Sequence, residues 1–378
     1  MERKYDTALL TAMQTNEKQE MFQDVQVLVK PIPEGGAPGD MDPRVYKSMK
    51  MMPLLMHFMP KPKPNQTVLE KILPLRKMFN EYKGIALVKT GVTTQRFTAA
   101  SADGYAVPVR VYRREKAGQN LPMLVYYHGG GFFGGGPDIV EQMCKLLVQN
   151  IDCVVLNVDY RLCPEHAYPA PLDDCFYATK WARDNAEKLG GDAKRMAVAG
   201  DSAGGNLAAA VTLRDRDEKT DMVKLQVLIY PAVNVSGKET EFYHGVDFAK
   251  YQHSAKKRQA KVLDSTLKMM GGMMGSDPKN GNMLENVYLQ GHLAPQHIYA
   301  SPLLADMKGL PPTLLIFGEH DFLAFEDFAY AQTATKAGVP LKTIVYRGIG
   351  HGFADQIGVA PQAEDCIKEI AARMKDIL

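Results

Sequence analysis

The rhythm of apolar positions changes near residue 85. Before it, patches of helical character are broken by Pro31, Pro33, Gly35-Gly36 and the run Pro60-Lys-Pro-Lys-Pro64. After it, short apolar runs of strand character alternate with helical ones, the pattern of an α/β sheet. Thr94–Thr98 and Ala106–Tyr112 flank Asp103-Gly104 and predict a hairpin. Met123–Tyr127, Val154–Val158, Met196–Ala199 and Leu225–Tyr230 predict four short buried strands, and Thr313–Phe317 and Lys342–Tyr346 two more. Helices are expected over Cys175–Lys188, Asn206–Arg216, Phe325–Ala337 and about Gln362–Ile377. One hairpin and six strands, joined largely by helices, predict an eight-stranded, mostly parallel sheet flanked by helices.

Residues 232–300 interrupt that alternation: they are polar, spotted with glycine and without a convincing strand. They read as an insertion after the Leu225–Tyr230 strand, and Lys256-Lys257-Arg258 within them as a solvated helix face. Eleven of the 21 methionines fall in two stretches, Met41–Met59 and Met269–Met283. Met49, Met52, Met56 and Met59 share one helical face, either a packed stripe or a deformable apolar wall for a substrate.

Composition narrows the classes. The 378 residues are 46% hydrophobic, enough for a large core and too apolar for a disordered chain. Forty-five Lys and Arg against 43 Asp and Glu leave a net charge of +2, with no electrostatic footprint for nucleic acid or an anionic membrane. The expected partner is a small, mostly uncharged molecule. The five cysteines form no Cys-x-x-Cys pair, so they signal neither a zinc site nor a disulfide framework and read as buried thiols. The N-terminus lacks the apolar region of a signal peptide, and the longest nearly apolar stretch, Met51–Pro60, is about half a bilayer span. A cytoplasmic protein without stable membrane insertion is the expectation.

The chemistry centres on Gly200-Asp201-Ser202-Ala203-Gly204. The G-x-S-x-G pattern alone is common; here it follows a predicted strand and precedes a predicted helix, the setting of a nucleophile elbow. Such a turn lifts the Ser202 hydroxyl above the strand ends and places a helix N-terminus under developing negative charge. A serine needs a base, and of nine histidines His351, in Gly350-His-Gly-Phe353 after the last predicted strand, has the required position. The base needs an acid to fix its tautomer; Asp321 follows the Thr313–Phe317 strand, with Glu319 and Asp327 as neighbouring alternatives. The chain order Ser202, Asp321, His351 is that of an α/β-hydrolase. His128-Gly129-Gly130-Gly131 follows the Met123–Tyr127 strand, and its glycines let main-chain N–H groups approach an oxyanion, with the Ala203 N–H as a further donor. His128 is expected to hold this loop. A phosphate-binding loop is the rival, but no Gly-Lys-Ser/Thr follows.

With these motifs the chain resembles the hormone-sensitive-lipase-like carboxylesterases of the α/β-hydrolase superfamily, the branch with a G-D-S-A-G elbow. The matches are His128–Phe132, Tyr160-Arg-Leu162, Pro164-Glu-His166, Pro169-Ala170, Asp173-Asp174, Gly200–Asn206, Ser301-Pro-Leu303, Leu310-Pro-Pro312, Gly318–Asp321 and His351-Gly-Phe353. They run in family order over about residues 85–378. The resemblance implies Ser202, Asp321 and His351 as the triad, and Gly130, Gly131 and Ala203 as oxyanion donors, with Gly129, in the same loop, counted in the oxyanion hole. It further implies an α/β-hydrolase domain of residues 86–231 and 301–378, and a helical cap of residues 1–85 and 232–300. The implied activity is hydrolysis of short- to medium-chain acyl esters through an acyl-enzyme, with no cofactor or metal. A homodimer through the last strand and C-terminal helix is a family-based expectation. Where the family usually has Asp-Pro-Leu, this chain has Asp321-Phe322-Leu323, although the downstream Glu326 remains. A binding-only relative would lack the histidine that His351 supplies, and an amidase using the same triad is the other alternative.

Overall fold

The fold is that of a computed structural model, which describes residues 2–50, 65–81, 84–238, 256–274, 276–277 and 281–378. Met52, Met56, Met59 and the rest of the apolar stretch after Lys50 lie outside the described residues. In chain order the chain forms α1 (Ala8–Thr15), β1 (Lys18–Phe22), β2 (Val25–Lys30), α2 (Pro43–Met49), α3 (Val68–Glu81), β3 (Val92–Ala100) and β4 (Ala106–Arg114). Then come β5 (Leu121–Tyr127), α4 (Pro137–Asn150), β6 (Val154–Val158), α5 (Ala170–Asp184), the single turn α6 (Ala186–Leu189), β7 (Gly191–Asp201), α7 (Ala203–Glu218) and β8 (Leu225–Ile229). The chain continues with α8 (Lys257–Met274), β9 (Thr313–Gly318), α9 (Ala324–Lys336), β10 (Leu341–Tyr346) and α10 (Pro361–Ile377). A two-residue antiparallel pair, Ser276–Asp277 with Gly281–Asn282, is the only strand pairing described within 232–300.

The sheet has ten strands in the order β1-β2-β10-β9-β8-β7-β5-β6-β4-β3. From β2 to β6 every neighbouring pair is parallel; β1 and the β3–β4 hairpin are antiparallel. Helices cover both faces: α4 and α10 pack together with α1 against α10, while α5 packs on α7, and α9 on β9, β10 and β2. That double cover is why the central strands read as continuous apolar runs: β6 and β8 are buried at every position.

The expected eight strands correspond to β3–β10, and the count of eight is corrected by β1 and β2. These come from a segment expected to belong wholly to a cap. Val25, Val27, Leu28 and Val29 are buried because β2 lies parallel to β10, with Leu28 opposite Ile344 and Val29 opposite Val345. Phe22 stacks on Phe328 of α9 at 4.1 Å between ring centroids. The hairpin gives a weak signal because its turn is Gln23-Asp24 instead of Asn-Gly or Asp-Gly, and because β1 is exposed along four of five positions. As a result, the outer edge of β10, through which a homodimer was expected to pair, is occupied by β2.

Charge fastens the hairpin to the C-terminal helix. Lys30 is fully buried, with its Nζ 2.5 Å from Glu17, 2.6 Å from Glu369 and 3.4 Å from Asp365. Arg3 and Tyr5 both donate to Glu364 of α10. A buried ammonium removed from such a cluster leaves carboxylates without their cation, which costs more than the net worth of the pairs. Lys30→Ala is therefore expected to destabilise the protein by about 3 kcal/mol, read as a lowered midpoint in urea unfolding; an unchanged midpoint would show that the hairpin is not anchored there.

Candidate active site

The five central parallel strands end along one rim of the sheet, and the candidate residues follow directly: His128 after β5, Ser202 after β7, Tyr230 after β8, Asp321 after β9 and His351 after β10. Loops at the carboxyl ends of parallel strands are where such folds place ligands.

Ser202 occupies the turn between β7 and α7 with φ 54° and ψ −119°. Its N–H donates to Ile229 O at 2.9 Å, and its carbonyl accepts from Asn206 N–H at 3.0 Å and Ala232 N–H at 3.1 Å. Gly204 makes the turn possible: a Cβ there would lie 2.0 Å from Tyr127 O and 2.6 Å from His128 O. The Ser202 Oγ is 2.8 Å from His351 Nε2, and His351 Nδ1 lies 2.9 and 3.0 Å from the two Asp321 oxygens. A carboxylate only accepts, so Nδ1 carries the proton and Nε2 is left to accept from the serine hydroxyl. Asp321 is fully buried and also accepts the Leu323 N–H at 2.9 Å. Two rings touch the imidazole, Tyr230 at 4.8 Å and Phe322 at 4.7 Å between centroids. Phe322 thus fills the place where the resemblance has proline.

Neither rival acid bonds to His351, whose Nδ1 meets only Asp321 among the described residues. Glu319 accepts from Gly39 N–H, Gly348 N–H and Arg347. Asp327 is buried on α9, where burial pushes its carboxyl well up. Glu326 accepts the Val233 N–H at 2.7 Å and so ties α9 to the segment after β8; burial pushes it up to about 8. His320 is buried, its Nε2 3.2 Å from Asp40 O.

The glycine loop is organised by bonds at the far end of each peptide. His128 Nδ1 lies 2.8 Å from Gly129 O, and Gly130 O accepts Phe133 N–H at 3.1 Å and Gly134 N–H at 2.9 Å. In a planar trans peptide the C=O and N–H point opposite ways. Fixing those two carbonyls therefore turns the N–H groups of Gly130 and Gly131 to the other side. Among the described residues these two N–H groups and that of Ala203 have no hydrogen-bond partner. Gly129 is different, and its inclusion among oxyanion donors is corrected: its N–H donates to Asp201 Oδ1 at 2.9 Å. His128 is stacked on Tyr160 at 4.3 Å, and burial pushes it down to about 4, so it is neutral and structural.

Asp201 is the site residue that sequence reasoning passed over. Its carboxylate accepts both the Gly129 N–H and the Tyr126 hydroxyl, at 2.8 Å, and so ties the elbow to the glycine loop. The available signal was its adjacency to Ser202, but nothing in the sequence says where the side chain points. Burial pushes Asp201 up to about 6, and its buried neighbour Asp355 well up. Among the described residues no group of three or more His, Cys, Asp or Glu side chains could hold a metal ion, and no helix is long and apolar enough to cross a membrane. All five cysteines are buried and unpaired.

A serine–imidazole–carboxylate relay on a strained elbow, with unbonded main-chain N–H groups on Ala203 and the glycine loop, can carry out nucleophilic acyl transfer. Residues 124–355 match the alpha/beta hydrolase fold family. The carboxylesterase NlhH of Mycobacterium tuberculosis is 34% identical over 272 residues, 72% of this chain and 79% of that protein. An arylesterase of Saccharolobus solfataricus is 30% identical over 306 residues, 80% of this chain and 90% of that protein. The solved hyperthermophilic esterase of the archaeon Pyrobaculum calidifontis superposes with a TM-score of 0.66 at 32% identity, covering 89% of this chain and 98% of that one. The chain belongs to the α/β-hydrolase fold family and, within it, to the hormone-sensitive-lipase-like carboxylic ester hydrolases.

The raised Asp201 carboxyl makes stability depend on pH. Its protonated form is favoured by folding, so the contribution is complete below the ordinary 3.8 and is lost as pH rises through about 6. Asp201→Asn removes this titration while keeping an acceptor oxygen. Urea midpoints at pH 4.5 and 7 are expected to lie closer together in the variant than in the parent. A second variant, Gly204→Ala, is expected to cost about 3 kcal/mol through overpacking against two carbonyls, measured in the same assay.

Proposed function

We propose that the chain is a serine carboxylesterase acting on short- to medium-chain acyl esters. Ser202 Oγ attacks the ester carbonyl while His351 Nε2 takes its proton, and Asp321 holds the imidazole and stabilises its charged form. The oxyanion is received by the N–H groups of Gly130, Gly131 and Ala203. His351 returns the proton to the departing alkoxide, so an alcohol leaves and Ser202 carries the acyl group. Water, activated by the same imidazole, then attacks the acyl-enzyme and restores the free serine.

The observation that carries this reading is the continuous relay, 2.8 Å from Ser202 Oγ to His351 Nε2 and 2.9 Å from Nδ1 to Asp321. Relatives named carboxylesterase and arylesterase support the ester as substrate class. The cap is read as residues 31–85 and 232–300, with the hairpin β1–β2 excluded from it. Supporting this, α2 packs on α8, the Met41 N–H donates to Gln259, and Lys256 pairs with Asp40 at 2.9 Å. The partly buried Met49 reaches Gly350, next to His351.

Initial rates on p-nitrophenyl esters from acetyl to palmitoyl test the proposal. Turnover is expected to peak at short or middle chain lengths. Ser202→Ala and His351→Ala are each expected to lower kcat by at least about 10⁴-fold with folding intact. Undiminished turnover by Ser202→Ala would move the chemistry away from this serine, and a peak at palmitoyl would make the protein a lipase instead.

A further inference from the structure

Helix α3 belongs to the N-terminal 85 residues, which carry none of the motifs of the hydrolase domain, yet it is bonded to the glycine loop at several points. It begins with a reciprocal cap, Thr67 N–H to Glu70 at 2.7 Å and Glu70 N–H to Thr67 Oγ1 at 3.2 Å, which fixes its first turn. Further along, Arg76 Nε donates to Phe133 O at 2.5 Å, and its Nη2 donates to Cys163 O at 2.5 Å. Both of its terminal nitrogens also meet Glu165, each at 2.7 Å. One turn on, Asn80 Oδ1 accepts the Gly135 N–H at 2.8 Å. Phe79 stacks on Phe133 at 5.6 Å, and the helix lies so close that a Cβ on Gly134 would sit 3.2 Å from the Phe79 ring.

The bonds of Arg76 lead to the oxyanion donor through two peptide planes. Arg76 holds the carbonyl of the Phe133–Gly134 peptide, and the N–H of that same peptide donates to Gly130 O. Gly130 O is in turn the carbonyl of the Gly130–Gly131 peptide, whose N–H is the free group of Gly131. Each peptide is planar, so fixing one end sets the direction of the other. A guanidinium suits this task because its rigid fork can address two carbonyls and a carboxylate at once, which an ammonium cannot do with the same geometry.

We propose that Arg76 is a positioning residue for ester hydrolysis: by clamping the Phe133 and Cys163 carbonyls it aligns the Gly131 N–H, so the oxyanion site is complete only while α3 is docked. This inference rests on the serine-esterase reading and on Gly131 as an oxyanion donor. Arg76 touches neither Ser202 nor His351 and acts through the loop alone. Its loss should therefore appear in the stabilisation of the tetrahedral intermediate and not in the affinity for the ester.

The test compares the parent with Arg76→Ala, Arg76→Lys and Asn80→Ala on p-nitrophenyl acetate, with thermal unfolding recorded for each. Arg76→Ala is expected to lower kcat by about tenfold or more while KM stays within about twofold, and Arg76→Lys to recover part of the loss. A matched thionoester adds a readout that general loosening would not move. Its sulfur fits an oxyanion site poorly, so the preference for the oxo ester should shrink in Arg76→Ala. Full kcat in Arg76→Ala, or a loss carried by KM alone, would overturn the proposal. If Arg76→Ala fails to fold, Asn80→Ala decides: a kcat loss with a reduced oxo-to-thiono preference supports the clamp, and parent-like kinetics overturn it. A parent without esterase activity, or an active Ser202→Ala, would instead sink the underlying serine-esterase reading.

Discussion

Ser202 holds its backbone at φ 54° and ψ −119°, a conformation that costs an L-residue about 1–3 kcal/mol and persists only where its surroundings over-determine it. Here the surroundings are the centre of the sheet. The Ser202 N–H is bonded to the last residue of β8, its carbonyl to the segment beyond β8 and to the first turn of α7. Gly204 and the buried alanines of α7 let that helix sit directly behind the strands. The strain places the hydroxyl within reach of His351, and the loops after β9 and β10 bring Asp321 and His351 together beside it.

A second consequence of the elbow is the control of the glycine loop. Asp201, locked by the same turn, reaches sideways to the Gly129 N–H and the Tyr126 hydroxyl. His128, neutral through burial and stacked on Tyr160, holds the Gly129 carbonyl. The loop is therefore held from the elbow, from the sheet and from α3, and the free N–H groups of Gly130 and Gly131 belong to peptides whose carbonyls, those of Gly129 and Gly130, are bonded. Donors fixed before the reaction need no reorganisation when charge develops, which is where such sites draw most of their effect.

The N-terminal segment has two separate structural roles. Its hairpin extends the sheet and leaves β1, short and studded with Lys18 and Glu20, as the outer edge in place of the apolar β10. Short charged edges discourage pairing with a further strand. The buried Lys30 cluster and the Arg3–Glu364 pair fasten this extension to α10. After the hairpin, α2 and α3 turn to the rim where the site lies, with Met49 near Gly350 and Arg76 and Asn80 on the glycine loop.

The hydrolase half was legible because its signals are local. Buried parallel strands declare themselves as apolar runs, and an elbow as Gly-x-Ser-x-Gly between strand and helix. His351 and Asp321 were singled out because chain order and strand ends restrict the choice. What sequence alone left open depended on where side chains point across the fold. Asp321 was preferred to Glu319 and Asp327 on the sequence, but what those two do instead came only from the fold: Glu319 accepts from Gly39, Gly348 and Arg347, and Asp327 is buried on α9. Gly129 looked equivalent to its glycine neighbours until Asp201 claimed its N–H. The β1–β2 hairpin escaped notice because its turn lacks the residues that favour a tight reversal, and only β10 makes an apolar strand of Val25–Lys30. Arg76 reads as one more surface cation on a polar helix, and its three partners lie 57 to 89 residues away. Sequence by itself determined the chemistry that the chain carries and the order in which its parts occur. Tertiary structure decided which N–H groups remain free, which carboxyl faces the imidazole and which edge of the sheet is closed, because these depend on contacts between residues that no local pattern relates.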